Sequence, residues 1–452
     1  MKKTYSMDMC NGAILPKLLR FAIPLMCSSM LQLLFNAADI VIVGRCCGDK
    51  SMAAVGSTTS LINLLTNLFI GLSVGSNVLT ARYFGGKEDR KVHEVVHTAV
   101  AISIVSGLLL TVVGIILAEQ ILVWMDTPAD VLPLAVTYLR TYFLGMTAMM
   151  IYNFCNAILR AVGDTKRPLY YLSAAGVINV ALNLFFVVVC DLDVAGVGIA
   201  TAISQCVSAV LILRCLMREK ESYQLKLKDI RIRMSYLVRI LRIGVPAGIY
   251  GTVFSISNVV IQSSVNSFGT IVVAGNSAAM NIEGFVYVAM NAFHQAAISF
   301  TSQNMGAGKL DRVHKITMQS LLCVFVTGTT LGGLVVLFGR PLLGIYSIEP
   351  AVIDAGMTRL YMICILYALC GMMDVMVGVL RGLGYSIMPT VVSLIGACGL
   401  RLVWIYTIFQ IPQYHTTKML YLSYDITWAI TFATHFICYC IVRKQLQKRN
   451  NM

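Results

Sequence analysis

The chain has 452 residues, of which 58% are apolar or aromatic and only 12% charged, with a formal net charge of +14. Soluble domains carry roughly 25% charged residues, so half that share argues for a lipid-embedded chain and excludes disorder, collagen-like repeats and a disulfide-stapled scaffold. The fourteen cysteines follow no framework or CxxC spacing, and most, such as Cys155, Cys206 and Cys364, read as small packing residues in apolar runs.

In chain order, stretches long and apolar enough to cross a bilayer predict spans near 18–43, 52–79, 93–117, 134–159, 168–190 and 194–216. Six more follow near 236–265, 274–303, 316–338, 355–380, 387–410 and 419–442. The first is too long for a signal sequence and contains Gln32, Asn36 and Asp39. Twelve spans put both termini on one side. The loops of that side, with Lys2 and Lys3 among them, hold 28 of the Lys and Arg residues, while the opposite loops hold six: Arg45, Lys50, Arg140, Arg340, Arg359 and Lys418. The positive-inside rule then predicts cytoplasmic termini in a plasma (inner) membrane. The positive balance reads as topology and contact with lipid headgroups, with no nucleic-acid partner.

The chain also repeats itself. An offset of 222 lays LPKLLRFAIP (15–24) on LVRILRIGVP (237–246), pairing Pro24 with Pro246, and GKEDR (86–90) on GKLDR (308–312). An offset of 221 lays LRAVGDTKRP (159–168) on LRGLGYSIMP (380–389). Three matches in one order divide the chain into an N-lobe (1–217), a charged linker (218–235) and a C-lobe (236–452). Each lobe has six spans, so the repeats are parallel, and duplicated lobes around a central cavity are a transporter plan. The expected fold is an all-α integral membrane protein of twelve transmembrane helices, in which a monomer suffices.

At these residues the sequence resembles the MATE (multidrug and toxic compound extrusion) family, in its bacterial branch. The resemblance runs through FAIPLMCSSMLQLLFNAADIVIVG (21–44), AAVGSTTSLINLLTNLFIGLSVG (53–75), LRAVGDTKRP, GVINVALNLFFVVV (176–189), VAGVGIATAISQ (194–205) and GVLRGLGYSIMPT (378–390). It implies secondary active efflux of amphiphilic, often cationic compounds by antiport against Na+ or H+, without a cofactor and without enzyme activity. The alternative in the same superfamily is a flippase for a lipid-linked saccharide precursor, for which more cavity cations than Arg401 would be expected.

Four acids fall within spans: Asp39, Glu283, Asp374 and Asp425. Each costs about 2.5–3.5 kcal/mol at a helix centre, so each is a functional candidate, although Asp425 is placed near a span end within reach of water. Asn179 and Asn183 share a helix face. Counted at 1.5 Å per residue, Asp39, Asn183 and Thr201 lie about 12–13 Å below the outer boundary and Asn179 about 18 Å. This oxygen-rich layer suits a hard cation, and the carboxylate alone can carry a proton. The resemblance places the N-lobe cation site on Asp39, Asn179, Asn183 and Thr201, with Tyr138 nearby, and makes them the expected place for Na+. Where archaeal and DinF-like relatives have a second Asp this chain has Asn183, leaving one formal charge. Pro24, in the span of Asp39, either permits a bend coupled to that site or only shapes the start of the helix.

In the second lobe the depths of Glu283 and Arg401 agree, which predicts an ion pair, either a fixed brace or part of a substrate or second coupling site, with Asp374 within reach of the same arginine. Met146, Met149 and Met150, or Met372, Met373 and Met376, are either a deformable cavity wall or packing residues. GLSVG (71–75) predicts a close helix contact. His93 and His97 stand four apart and could ligate a metal, but read best as a solvated helix face; His294 and His435 read as satisfied packing residues. Neither GK dipeptide has a Walker A context, which argues against ATP hydrolysis.

Overall fold

The computed structural model describes residues 5–125 and 127–450, so that Lys2 and Lys3 of the charge count lie outside the described residues. The first six spans are formed by α1 (Ile14–Cys46), α2 (Asp49–Gly85), α3 (Asp89–Trp124), α4 (Leu132–Phe143) with α5 (Met146–Ala161), α6 (Lys166–Leu184) and α7 (Asp193–Met217). The next six are α8 (Met234–Asn266), α9 (Thr270–Gly306), α10 (Leu310–Leu337) followed by the short α11 (Gly339–Gly344), α12 (Pro350–Cys364) with α13 (Tyr367–Gly382), α14 (Ile387–Ser393) with α15 (Leu400–Tyr406), and α16 (Thr417–Asn450). Among the described residues ten helices are long and apolar enough to cross a bilayer, and two bent pairs bring the total to twelve if each pair is one span.

Those bent pairs are α4 with α5, at 47°, and α12 with α13, at 46°. The breaks fall after Phe143 and Cys364, which correspond at the repeat offset of 221. At the first break a Cβ on Gly145 would come within 2.3 Å of the Gln205 side-chain oxygen, so α7 presses on the backbone where the span turns. Short wide helical turns at Phe185–Val189 and Leu394–Gly399 extend α6 and join α14 to α15.

Packing divides the chain into two compact units. The first is Cys27–Gly248 with the segment ending at Asp8; the second is Met9–Met26 with Ile249–Met452. The opening turns of α1 thus pack in the second unit and those of α8 in the first. In both helices the crossover comes two residues after a proline, Pro24 or Pro246, whose ring removes a backbone hydrogen bond and lets the helix bend.

Within the first unit, α2 and the start of α8 are in backbone contact. A Cβ on Gly71 would lie 2.3 Å from the Gly248 nitrogen, one on Gly75 would lie 2.3 Å from the Ile240 carbonyl, and one on Gly244 would lie 2.5 Å from the Leu72 Cα. This is the close contact expected of GLSVG. The motif LRAVGDTKRP closes the α5 to α6 turn: Gly163 has φ +92°, and Asp164 accepts from the backbone N–H groups of Lys166 and Arg167 at 3.2 Å. Arg167 pairs with both Asp164 and Glu219. Burial raises the Asp164 carboxyl, while Arg167 pulls it down. On α3, Val105, Leu108, Leu109, Val112 and Ile116 are exposed at helical spacing, a stripe suited to hydrocarbon.

In the second unit the N-terminal strap is fastened to the start of α10. Lys309 Nζ donates to the Cys10 carbonyl at 3.0 Å and to Asn11 Oδ1 at 2.6 Å, and Arg312 donates to the Met9 and Asn11 carbonyls. The GKLDR motif therefore holds down the segment that leads into α1.

Candidate functional site

Three helix faces of the first unit converge on Asp39. On α1, Gln32, Asn36 and Asp39 share a face; Asn179 and Asn183 do so on α6, as do Thr201, Ser204, Gln205 and Ser208 on α7. A cavity of about 110 Å³ opens among them, lined by Asp39, Asn179 and Thr201 together with Gln32, Asn36 and Gln205. Close packing of α1 on α6 sets the approach, because a Cβ on Gly176 would strike the Phe35 ring at 1.9 Å.

The polar side chains form a continuous run across the three helices. Asn183 donates to Asp39 Oδ1 at 2.5 Å and, at 3.3 Å, to Asn179 Oδ1. Asn179 donates to Thr201 Oγ1 at 3.4 Å, and Thr201 donates back to the Val197 carbonyl at 2.9 Å. The longer links are weak by geometry, so the tie between Asp39 and Asn183 dominates. Asn183 is fully buried, yet its side-chain oxygen has no hydrogen-bond partner among the described residues. Such an orphan acceptor ordinarily costs about 1–3 kcal/mol, and it is available to a cation or a proton donor.

Tyr138 is 7% exposed within the apolar cluster and lies in electrostatic range of Asp39, without a hydrogen bond to it. All five residues expected at the cation site are thus in one unit, four of them joined directly. Gln32, Asn36 and Gln205 were not expected there. Their signal was present, since Asn36 and Gln32 precede Asp39 by three and seven residues and Gln205 follows Thr201 by four, all helix-face spacings.

The second unit corrects one expected pairing. Glu283 pairs with Arg359, not Arg401: Arg359 Nε lies 3.2 Å from Glu283 Oε2, and its Nη2 bonds the other carboxylate oxygen. Arg359 also donates to Asn276 Oδ1 at 2.8 Å, where the Tyr421 hydroxyl donates at 3.1 Å. The loop count places Arg359 with the outer loops although it falls four residues inside the predicted span 355–380. The helix starts at Pro350, which puts Arg359 nine residues in, at 3% exposure.

Arg401 is fully buried over the Tyr424 ring, 4.0 Å from its centroid, and donates to Thr427 at 3.3 Å. Its Nε and Nη1 have no hydrogen-bond partner among the described residues. Asp374 accepts from the Tyr250 hydroxyl at 3.1 Å, and the guanidinium over the Tyr250 ring is that of Arg381, so Arg401 does not serve Asp374. Asp425 does not reach water. It lies eight residues inside α16 at 5% exposure. Met146, Met150, Met373 and Met376 are wholly buried, which makes them packing residues. His97 is 2% exposed, contrary to a solvated face.

The family model for MatE matches residues 24–185 and again 246–407, together more than two thirds of the chain. The chain belongs to the MATE family. Both matches begin on a proline, Pro24 and Pro246, which restates the 222-residue repeat. The MATE chain is similar to the probable multidrug resistance protein YoeA of Bacillus subtilis, at 27% identity over 94% of each chain. It is also similar to the probable multidrug resistance protein NorM of Thermotoga maritima, at 24% identity over 85% of this chain and 84% of that one. A solved structure of an outward-facing MATE multidrug resistance transporter of the MOP superfamily matches with a TM-score of 0.92 at 20% identity, covering 99% of this chain and all of that one. The fold is therefore the two-repeat MATE architecture, and the protein is a multi-pass membrane transporter.

Proposed function

We propose that this MATE chain exports amphiphilic, often cationic organic compounds by antiport against Na+ or H+, and that Asp39 takes up the coupling ion. The observation that carries the reading is the run of hydrogen bonds from Asp39 through Asn183 and Asn179 to Thr201, beside an open cavity and with a buried amide oxygen to spare. Multidrug relatives over most of the chain support the substrate class. The charge pattern of the loops supports cytoplasmic termini in the plasma membrane, a single chain contains both lobes, and the scheme requires no cofactor.

Without a coupling ion, the Asn183 amide donates to the Asp39 carboxylate and ties α1 to α6. A half-turn of that amide would present its oxygen instead. Sodium would then be held by the Asp39 carboxylate and the Asn183 oxygen, with Asn179 and Thr201 as further oxygen ligands. A proton on Asp39 would use the same turn, because the neutral carboxyl becomes a donor to the Asn183 oxygen. A proton reverses the hydrogen bond between α1 and α6, and sodium replaces it with a shared ion. Pro24 lies fifteen residues, about 22 Å, before Asp39 on α1 and offers a place where the helix can respond.

The test is export of a fluorescent lipophilic cation from proteoliposomes, with a sodium gradient and a pH gradient imposed separately. Export driven by one gradient supports antiport and names the ion. Absence of drug movement under both sinks the proposal and favours the lipid-flippase reading.

A further inference from the structure

His93 and His97 have no part in the transport reading. They stand one turn apart at the start of α3, and the fold brings a third ligand to them. Asp229, 136 residues beyond His93, lies on the connection between α7 and α8, with its Oδ2 at 3.1 Å from His93 Nε2. One ligand atom from each of the three residues lies within 4.8 Å of the other two, and all belong to the first unit.

The hydrogen bonds already orient the buried member. His97 Nδ1 lies 2.6 Å from the His93 carbonyl, an acceptor, so the proton is on Nδ1 and Nε2 carries the lone pair. A metal-bound histidine is held in the same way, with its other ring N–H given to a carbonyl or carboxylate. His97 Nε2 now accepts from the Lys226 backbone N–H at 2.9 Å. Of the nearby cations, Arg90 and Arg233 are both turned to Glu94.

We propose that His93, His97 and Asp229 form a binding site for a divalent transition cation of the zinc class. Two ligands of a tetrahedral zinc, each about 2.0–2.2 Å from it, are about 3.3 Å apart, close to the present separation of His93 and Asp229. Bringing His97 in requires the cluster to contract by up to about 1.5 Å and the Lys226 N–H to give way to the metal. Two imidazoles and one carboxylate select zinc, nickel or copper over magnesium or calcium. Three protein ligands leave the fourth position to water. A bound ion would clasp the connection between α7 and α8 to α3. The second repeat lacks this arrangement: at the 221 offset His314 stands for His93, but Met318 stands for His97.

The test uses the full chain in detergent, stripped of metal and titrated with zinc chloride against a fluorescent chelator, with cobalt(II) absorption as a second readout. The side chains of His93 and Asp229 are 30% and 48% exposed, so His93→Ala and Asp229→Asn should fold, which size-exclusion profiles would verify. The expected result is one zinc per chain, weakened at least tenfold by either substitution and unchanged in His314→Ala, with tetrahedral cobalt bands lost in the same two variants. Equal zinc affinity in all four proteins, or cobalt bands surviving both substitutions, would place the metal on other residues and overturn the assignment.

Discussion

The Glu283 and Arg359 pair gives the sharpest stability prediction. Their side chains are 9% and 4% exposed, and the guanidinium makes two bonds to the carboxylate and one to Asn276, with Tyr421 and Tyr424 against its face. Glu283→Leu removes the balancing charge but not the buried arginine, a change that costs about 3–5 kcal/mol. At about 2–4 °C per kcal/mol for a unit of this size, the midpoint should fall by roughly 10 °C. Arg359→Met should cost a comparable amount, because it strands the carboxylate. The double variant, Glu283→Leu with Arg359→Met, strands neither, and Asn276 keeps its bond from Tyr421. It should recover most of the loss, leaving a coupling energy above about 2 kcal/mol. Thermal unfolding in detergent, followed by the monodisperse fraction on size exclusion, measures all four corners of the cycle. Additive losses in the double variant would refute the reasoning, since they would mean that the two charges do not balance each other.

Further outcomes follow from other sites. With sodium as the coupling ion, Asn183→Asp adds a second carboxylate beside Asp39 and should lower the sodium concentration for half-maximal export about tenfold, equivalent to about 1.4 kcal/mol of binding; an unchanged sodium dependence in a sodium-driven transporter would remove Asn183 from the ion site. Gly75→Val puts a branched side chain where even a Cβ meets the Ile240 carbonyl at 2.3 Å, so a loss of about 1–3 kcal/mol in thermal stability is expected, and full stability would deny the α2 to α8 contact. Pro24→Ala restores a backbone donor in α1. It should leave thermal stability within about 1 kcal/mol while slowing initial export severalfold, and an unaltered rate would reduce Pro24 to a shaping role.

Much of this was legible in the sequence because lipid imposes simple rules. Apolar run length gave the spans, and duplication gave the repeat. The face-sharing of Asn179 with Asn183, and the common depth with Asp39 and Thr201, anticipated a run of hydrogen bonds that the structure contains. Helix starts were less visible. Pro350 and Thr417 open their helices five and two residues before the predicted spans, so Arg359 and Asp425 read as boundary residues although both are buried. The pairing of Glu283 was lost for the same reason, since depth alone made Arg401 the better match. The approach of Asp229 to His93 depends on how the connection between α7 and α8 folds back on α3, and a segment with no helical period carries no register to read. The bends between α4 and α5 and between α12 and α13 lie inside continuous apolar runs, where hydropathy has no feature to report.

The most direct measurement of the coupling at Asp39 reverses the usual assay. Proteoliposomes are given a steep gradient of the transported lipophilic cation, with no ion gradient, and countermovement of sodium and of protons is recorded for wild type and Asp39→Asn. The account predicts drug-driven countermovement of one ion in the wild type and its loss in Asp39→Asn, while thermal stability is retained. Undiminished ion countermovement in Asp39→Asn would contradict the account and place coupling elsewhere in the chain.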